Sequence, residues 1–431
     1  MPRRTLQLNA RSDRRYIRAE YRSNRFILAE ITAPHQHADP NQERKRPPVN
    51  LAFVLDRSGS MAGQKIALAK QAVVQSVSRL QTDDRFAVVV YDDQIDVVIR
   101  STLATPEAKR DAIAFIDRID ARNSTNLAEG WLRGAEQVGL HLDNAGVNRA
   151  LLLTDGLANK GITDHDELIR HAGELRARGI QTTTFGVGAD FDETLLSAMA
   201  NAGGGNFYYI ADARQITDYI TSEVGEALDV VARDVTLEVV TPQGVVVESL
   251  TPFPFEAIAK GRTRVSLGSL VAEQVVQVVL RLIFPLGEIG RETGAVLSLS
   301  ARDETADGSS ASLSWAYADS KTNDLQERDA EVDRAVASIF AARARQEATA
   351  LNRAGNFPAA QAALAAVAKR IRAYAGRDKE MRALIAELER DSQELALPMA
   401  PAAAKEMHFR AYASARMRNF DGTAVRRPQR S

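Results

Sequence analysis

The chain has 431 residues, with 55 Lys or Arg against 56 Asp or Glu and a formal net charge of −1. At about 150 residues per domain, this length predicts two or three domains. A near-zero charge argues against nucleic-acid binding through an overall positive field, and the absence of cysteine excludes disulfides, thiolate zinc sites and cysteine nucleophiles. The N-terminus lacks an apolar signal region, and the longest apolar-rich stretch, 271–286, is too polar and too short to span a membrane. We therefore expect a soluble, cytoplasmic protein.

The first 50 residues predict strands followed by a linker. Apolar and β-branched residues alternate with polar ones over 4–33, which is typical of β-strands, and 34–49 are rich in Pro, His, Gln and charge. His35 and His37 form an H-x-H pair in this linker, but no further ligand cluster flanks them, which disfavours a metal site there. The N-terminal segment is basic, as is the C-terminal tail.

Residues 50–230 show short apolar runs that alternate with helix-length amphipathic segments. This alternation indicates a doubly wound, mostly parallel sheet with helices on both faces. Strands are predicted at 51–55, 86–91, 97–100, 150–153, 182–187 and 207–210. Helices are predicted at 64–80, 107–119, 127–142, 165–177, 193–201 and 215–228.

Strands return without helices from 231 to 320, which is an all-β pattern. Because two or three strands alone are marginally stable, we expect the N-terminal strands to join this region in one β-sandwich, with the α/β domain inserted between them. The predicted fold class is thus an α/β domain inserted in a β-sandwich, followed by a helical module. The predicted domains are 1–45 and 231–322 for the sandwich, 46–230 for the α/β domain, 323–397 for the helical module and 398–431 for a tail.

The helical module is predicted from an Ala-, Arg- and Glu-rich stretch with helical periodicity and two glycine breaks, which give three helices. Its stretch 350–360 is similar to a tetratricopeptide helix pair, but one unit is too few for a solenoid, so plain three-helix packing is favoured. The arginine-rich tail is predicted to be mostly disordered. Phe409, Tyr412, Met417 and Phe420 within it suggest folding on a partner or back onto this protein.

A D-x-S-x-S motif follows the first strand of the α/β domain. Loops at the carboxyl edge of such sheets bind ligands, and a tight turn there lets Asp56, Ser58 and Ser60 aim their oxygens at one point. Gly59 permits that turn. One carboxylate and two hydroxyls make a hard-oxygen site suited to Mg²⁺, although the motif alone could also be a helix N-cap with a turn.

Two further oxygen donors are placed to complete this site. Thr125 opens a helix after a loop, and Asp155 follows the next buried strand. Both can converge with Asp56 because neighbouring strands end on the same edge, which favours the metal site over the cap. Asp92 and Asp93 after the second strand are predicted as turn residues that could face the same edge.

With these motifs, residues 50–230 resemble a von Willebrand factor A (VWA) domain of bacterial type. Asp56, Ser58, Ser60, Thr125 and Asp155 match all five positions of that family's metal-ion-dependent adhesion site (MIDAS). The resemblance implies that the three hydroxyls bind Mg²⁺, with Mn²⁺ or Ca²⁺ as other candidate ions, and that the two carboxylates act mostly through bound water. It also implies an open position for the Asp or Glu carboxylate of a partner protein.

The resemblance favours Mg²⁺-dependent protein binding, as a scaffold or adaptor, over catalysis. One alternative is an accessory subunit that docks on a MoxR- or chelatase-type AAA+ ATPase. A second is a metal-dependent enzyme, which would need an activated nucleophile or base. Ser58 and Ser60 lack the G-x-S-x-G context of a hydrolase nucleophile, so we predict no catalytic residues, no specific nucleic-acid partner and no membrane span.

Overall fold

The structure is a computed structural model that describes residues 5–35, 46–122, 125–302 and 309–427. The chain divides into two compact units. Unit 1 comprises residues 1–35, 232–420 and 424–431, and unit 2 comprises 36–231 and 421–423. Among the described residues, none of the helices combines the length and the apolar character that crossing a bilayer requires.

Unit 1 begins with three strands, and unit 2 follows with an alternation of strands and helices. The strands of unit 1 are β1 (Gln7–Ser12), β2 (Tyr16–Arg18) and β3 (Ser23–Thr32). The strands of unit 2 are β4 (Val49–Asp56), β5 (Arg85–Tyr91), β6 (Ile95–Leu103), β7 (Val147–Thr154), β8 (Gln181–Val187) and β9 (Gly204–Ile210). Its helices are α1 (Gln64–Ser78), α2 (Pro106–Asp117), α3 (Leu127–Gly139), α4 (His165–Ala177), α5 (Glu193–Gly203) and α6 (Ile216–Leu228).

The sheet of unit 2 has the strand order β6-β5-β4-β7-β8-β9. Every pair is parallel except β5 with β6. All residues of β4, β7 and β8 are buried, as expected for a parallel sheet covered on both faces by helices. Short runs of Val, Leu and Ala therefore form the centre of the sheet, and the predicted strands and helices of 50–230 are all present, with bounds shifted by a few residues.

The remaining strands of unit 1 complete two sheets. They are β10 (Val230–Val240), β11 (Val246–Ser249), β12 (Phe255–Ala259), β13 (Arg262–Val271), β14 (Val275–Phe284), β15 (Glu292–Ser300) and β16 (Ser310–Ala318). One sheet has the order β1-β3-β14-β11 and the other β12-β13-β10-β15-β16-β2. The rings of Phe284 and Trp315, one from each sheet, lie 5.1 Å apart between their centroids, so the sheets pack together as a sandwich.

Five helices end unit 1: α7 (Ser320–Leu325), α8 (Ala330–Arg353), α9 (Phe357–Ala375), α10 (Lys379–Glu394) and α11 (Pro401–Ala415). The described helices α8, α9 and α10 share a core of small and aliphatic side chains, among them Ala341, Leu364 and Leu388. The predicted fold class is confirmed: an α/β domain with a mostly parallel sheet, inserted in a β-sandwich and followed by helices. The domain boundaries given above stay predictions.

The prediction of a disordered tail is wrong for residues 401–415, which form α11. Ala411 and Ala415 of this helix are buried with Val336 of α8 against Phe26 and Leu28 of β3. The helix forms because a sheet face from the other end of the chain covers its small apolar side. Of the apolar tail residues, Phe409 and Tyr412 are buried, whereas Phe420 is 80% exposed.

Two glycines let α3 approach the sheet closely. A Cβ atom at Gly134 would lie 2.2 Å from Cγ2 of Val54, and one at Gly130 would lie 2.4 Å from Cγ of Tyr91. Both distances are too short for real carbon contacts, and Val54 and Tyr91 are fully buried. The close packing of α3 on β4 and β5 therefore depends on the missing side chains.

We predict opposite effects of the same substitution at two helix glycines. Gly134→Ala should lower the free energy of unfolding by about 1–3 kcal/mol, because the new methyl group overpacks against Val54. Gly173→Ala on α4 is the matched control, since nothing lies within 4 Å of its Cβ position, and it should raise that free energy by about 1 kcal/mol through helix propensity. Urea unfolding followed by circular dichroism measures both values. Equal effects would contradict the close approach.

Candidate metal centre

The candidate site lies at the carboxyl ends of two neighbouring strands, β4 and β7. These strands are parallel, and Leu55 is in register with Leu153. Asp56 is the last residue of β4, and Asp155 follows the end of β7 directly. Both side chains are buried, with residue exposures of 0% for Asp56 and 1% for Asp155. The sheet therefore places two carboxylates side by side below the surface.

The turn after β4 is built on the Asp56 carboxylate. The backbone N–H of Ser58 donates to Oδ1 of Asp56 at 2.8 Å, and the Thr154 hydroxyl donates to Oδ2 at 2.9 Å. A 3-10 turn over Gly59–Met61 follows. The hydroxyl oxygens of Ser58 and Ser60 are 3.1 Å apart. The D-x-S-x-S segment thus bends back so that both hydroxyls lie beside each other.

The second carboxylate is joined to the same network. The Ser60 hydroxyl donates to Oδ1 of Asp155 at 2.7 Å, and the Lys65 ammonium donates to Oδ2 at 2.5 Å. Thr125 also lies at this turn, because a Cβ atom on Gly156 would be 3.5 Å from the Thr125 hydroxyl oxygen. Asn123 and Ser124, which precede Thr125, lie outside the described residues.

The structure therefore brings the five predicted ligands to one end of the sheet. Asp56, Ser58, Ser60 and Asp155 are connected by hydrogen bonds, and Thr125 is adjacent to the turn after Asp155. Their role as metal ligands stays a prediction.

Burial dominates the electrostatics of Asp56. Loss of hydration raises the pKa of its carboxyl to about 6, against the opposing effect of the hydrogen bonds from Ser58 and Thr154, and the nearby Asp155 raises it further. Burial also raises the pKa of the Tyr91 hydroxyl, with the negative charge of Asp56 as the next cause. Tyr91 donates to the carbonyl of Leu153 at 3.2 Å, so a neutral phenol closes the floor of the site.

A second charged cluster fixes the loops around the site. Asp92 is buried and accepts hydrogen bonds from the Gln94 N–H at 2.7 Å and from Nε of Arg122 at 2.9 Å. Nε of Arg57 lies 3.4 Å from the same carboxylate. The backbone N–H of Asn126 donates to the Asp92 carbonyl at 2.7 Å. Because Asn126 follows Thr125, this cluster positions the threonine.

Two of these roles were not found from the sequence. Asp92 is the predicted turn residue, since it accepts from the Gln94 N–H, and it is in addition the acceptor that holds Arg57 and Arg122. The sequence motifs assign no role to Lys65. A signal for Lys65 was present, because a positive charge in the first turn of a helix is disfavoured by the helix dipole. Asp93 is exposed, and its Oδ2 lies 3.9 Å from Nζ of Lys160.

The H-x-H pair lies elsewhere in the chain, in the predicted linker. Nδ1 of His35 is 2.6 Å from Oε1 of Glu273, and His37 lies outside the described residues. Within the described ranges, no group of three or more His, Asp or Glu side chains is arranged to hold a metal ion. A metal centre at the end of β4 and β7 would therefore depend on hydroxyl oxygens as well as on its two carboxylates.

The donor set fits a hard divalent cation. It offers two carboxylates and three hydroxyls, and it contains no soft sulfur or imidazole ligand, which is the chemistry that Mg²⁺ prefers. Burial and mutual repulsion make two adjacent carboxylates costly, and a divalent cation beside them would offset both costs. Asp56, Ser58, Ser60, Thr125 and Asp155 are the residues that would hold it.

Comparison with known proteins identifies the domain that carries this site. Residues 50–222 match the family described as von Willebrand factor type A domain. Over 204 residues the chain is 30% identical to the uncharacterized protein YfbK of Escherichia coli (strain K12). That match covers 47% of this chain and 35% of YfbK, so the chain matches about a third of the length of this relative. The chain contains a VWA domain.

Two solved structures have a similar fold over almost the whole chain. The von Willebrand factor type A protein from Catenulispora acidiphila has a TM-score of 0.72 at 19% identity, with 98% of each chain covered. The ArnB paralog VWA2 from Sulfolobus acidocaldarius has a TM-score of 0.63 at 14% identity, with 96% of this chain and 98% of that chain covered. At these identities the likeness concerns the fold alone.

We predict that Asp56 makes the metal-free protein less stable as the pH rises. Its pKa is about 6 in the fold against 3.8 ordinarily, so between these values the folded state holds a proton that the unfolded state has lost. The unfolding free energy should therefore fall by about 2 kcal/mol from pH 4.5 to 7 through this group. Urea unfolding with a chelator present, for the wild type and Asp56→Asn, isolates the effect. An identical pH dependence in both proteins would contradict it.

Proposed function

We propose that this protein binds partner proteins through a divalent cation held by five side chains of the VWA domain, with Mg²⁺ as the expected ion. The side chains are those of Asp56, Ser58, Ser60, Thr125 and Asp155. VWA domains typically mediate protein–protein interaction, and residues 50–222 form such a domain. The observation that carries the proposal is the pair of buried carboxylates at one turn: Asp56 accepts from the Ser58 N–H, Asp155 accepts from the Ser60 hydroxyl, and the two serine hydroxyls lie beside each other.

The exposure of the site suits the capture of a partner from one side. Asp56 and Asp155 are buried, whereas Ser60 is exposed. Ser58 and Thr125 are buried as well, so Ser60 is the ligand that would lie between the carboxylates and the solvent. When bound, the cation would supply a Lewis-acidic contact for an Asp or Glu carboxylate of the partner. Water exclusion at such a contact strengthens the attraction between cation and carboxylate.

The surroundings support binding without a chemical step. The lysine nearest the site donates its ammonium to Asp155, and the arginines of the second cluster are paired with Asp92 and Asp96. These groups hold loops and balance charge. The role of the site is then to form and release a contact, with the partner's carboxylate as the final ligand.

We predict that metal binding depends on Asp56. In calorimetry at pH 7, Mg²⁺ or Mn²⁺ should bind the wild type, and Asp56→Ala should lower the affinity at least about tenfold, because a charge that orients the ligands is lost. Asp111→Ala is a matched control, since Asp111 is exposed on α2, and it should bind the ion like the wild type. Equal heats of metal binding for the wild type, Asp56→Ala and Asp111→Ala would exclude a metal site that depends on Asp56.

We also predict that partner capture requires the cation. The immobilised full chain should retain a partner from a lysate of its own cell in Mg²⁺, release it on addition of a chelator, and fail to retain it as Asp56→Ala. The Asp111→Ala variant should retain it. Capture of an AAA+ ATPase would identify the protein as an accessory subunit of a MoxR- or chelatase-type ATPase. Capture that is unchanged by the chelator and by Asp56→Ala would contradict binding through the site.

A further inference from the structure

Lys65 has an unfavourable position in its own helix. It is the second residue of α1, and the first turn of that helix contains no acidic residue. The positive end of the helix dipole repels an ammonium there. The Lys65 ammonium nevertheless lies 2.5 Å from Oδ2 of Asp155, with its side chain 29% exposed and that of Asp155 0%. Attraction to a buried carboxylate therefore outweighs the repulsion by the helix.

Two other groups of charges near the site are paired among themselves. The second cluster has two cations and two anions in mutual ion pairs, namely Arg57, Arg122, Asp92 and Asp96. Lys160 lies 3.9 Å from the carboxylate of Asp93. Asp56, Asp155 and Lys65 form a separate group at the candidate ligands, and together they carry a net charge of minus one when both carboxyls are ionised.

We infer that Lys65 sets the charge of the candidate site: it weakens the binding of the divalent cation and strengthens the binding of the partner's carboxylate. The inference rests on the proposed function. With a divalent cation, the group of Asp56, Asp155 and Lys65 has a net charge of plus one, and one carboxylate brings it to neutrality. Without Lys65, the loaded group is already neutral, and a carboxylate would leave it negative.

The two effects have the same cause and opposite signs. An ammonium hydrogen-bonded to a ligand carboxylate repels an incoming cation and attracts an incoming anion. Because Lys65 is partly exposed, solvent reduces both effects, and we expect each to be roughly tenfold in affinity. A lysine that only stabilised the fold would change both affinities in the same direction or neither.

The test measures both affinities on the full chain and its Lys65→Met variant, with Lys65→Arg as the charge-preserving control. Electron paramagnetic resonance measures the concentration of free Mn²⁺ during a titration, which gives the affinity of each protein for the ion. Relaxation of water protons by bound Mn²⁺ then reports the addition of acetate, with acetamide as the neutral control. Circular dichroism establishes that each variant is folded.

Lys65→Met should bind Mn²⁺ about tenfold more tightly than the wild type, and its loaded form should bind acetate about tenfold more weakly. Lys65→Arg should resemble the wild type in both titrations. The inference would be overturned if Lys65→Met bound Mn²⁺ more weakly, or if its affinities for Mn²⁺ and for acetate were both unchanged. Either result would leave the proposed function intact. If Mn²⁺ binds neither the wild type nor the variant, the inference about Lys65 and the proposed function both fail. Binding to Lys65→Met alone would support the role of Lys65.

Discussion

The burial of two adjacent carboxylates, those of Asp56 and Asp155, is the constraint on which the structure of the candidate site depends. Because Leu55 and Leu153 are in register on parallel strands, Asp56 lies at the same end of the sheet as Asp155, which follows Thr154 at the end of β7. Hydrogen bonds from Ser58, Ser60 and Thr154 spread the charge over several donors. Together with the Lys65 ammonium on Asp155, these contacts reduce the repulsion between the two carboxylates.

The rest of the unit keeps that pair in place. Tyr91 fills the space below it and bonds to the carbonyl of Leu153, which is possible only because Gly130 leaves room for the ring. The ion pairs of Arg57 and Arg122 with Asp92 tie the loop before α3 to the end of β5. Loop geometry at the site is thus fixed by buried polar contacts, in which partial loss is costly.

The sequence predicted best what depends on local pattern. Buried runs such as Leu51–Leu55 could only be central strands, and their common edge was enough to group Asp56 with Asp155. The role of Lys65 was missed because it depends on a contact with a residue far along the chain. The short strand β12 gives only a weak sequence signal, because most of its residues are exposed at a sheet edge.

The tail helix α11 also depends on contacts with distant parts of the chain, which a local sequence pattern does not reveal. Four of its nine buried residues are alanines, among them Ala411 and Ala415, and alanine burial contributes little signal in a hydropathy pattern. The surface that covers them is formed by β3 and α8, from opposite parts of the chain. Composition therefore indicated disorder where a tertiary contact produces a helix.

The place of β3 in its sheet has a consequence during synthesis. This strand is paired on one side with β1 and on the other with β14, and residues 36–231 of unit 2 lie between β3 and β14 in the sequence. At about 5–20 residues per second, β3 emerges from the ribosome on the order of tens of seconds before its second neighbour. During that interval the edge of β3 that will pair with β14 is open to pairing with other nascent chains. The α/β domain can therefore be fully synthesised before the sandwich has its strand β14.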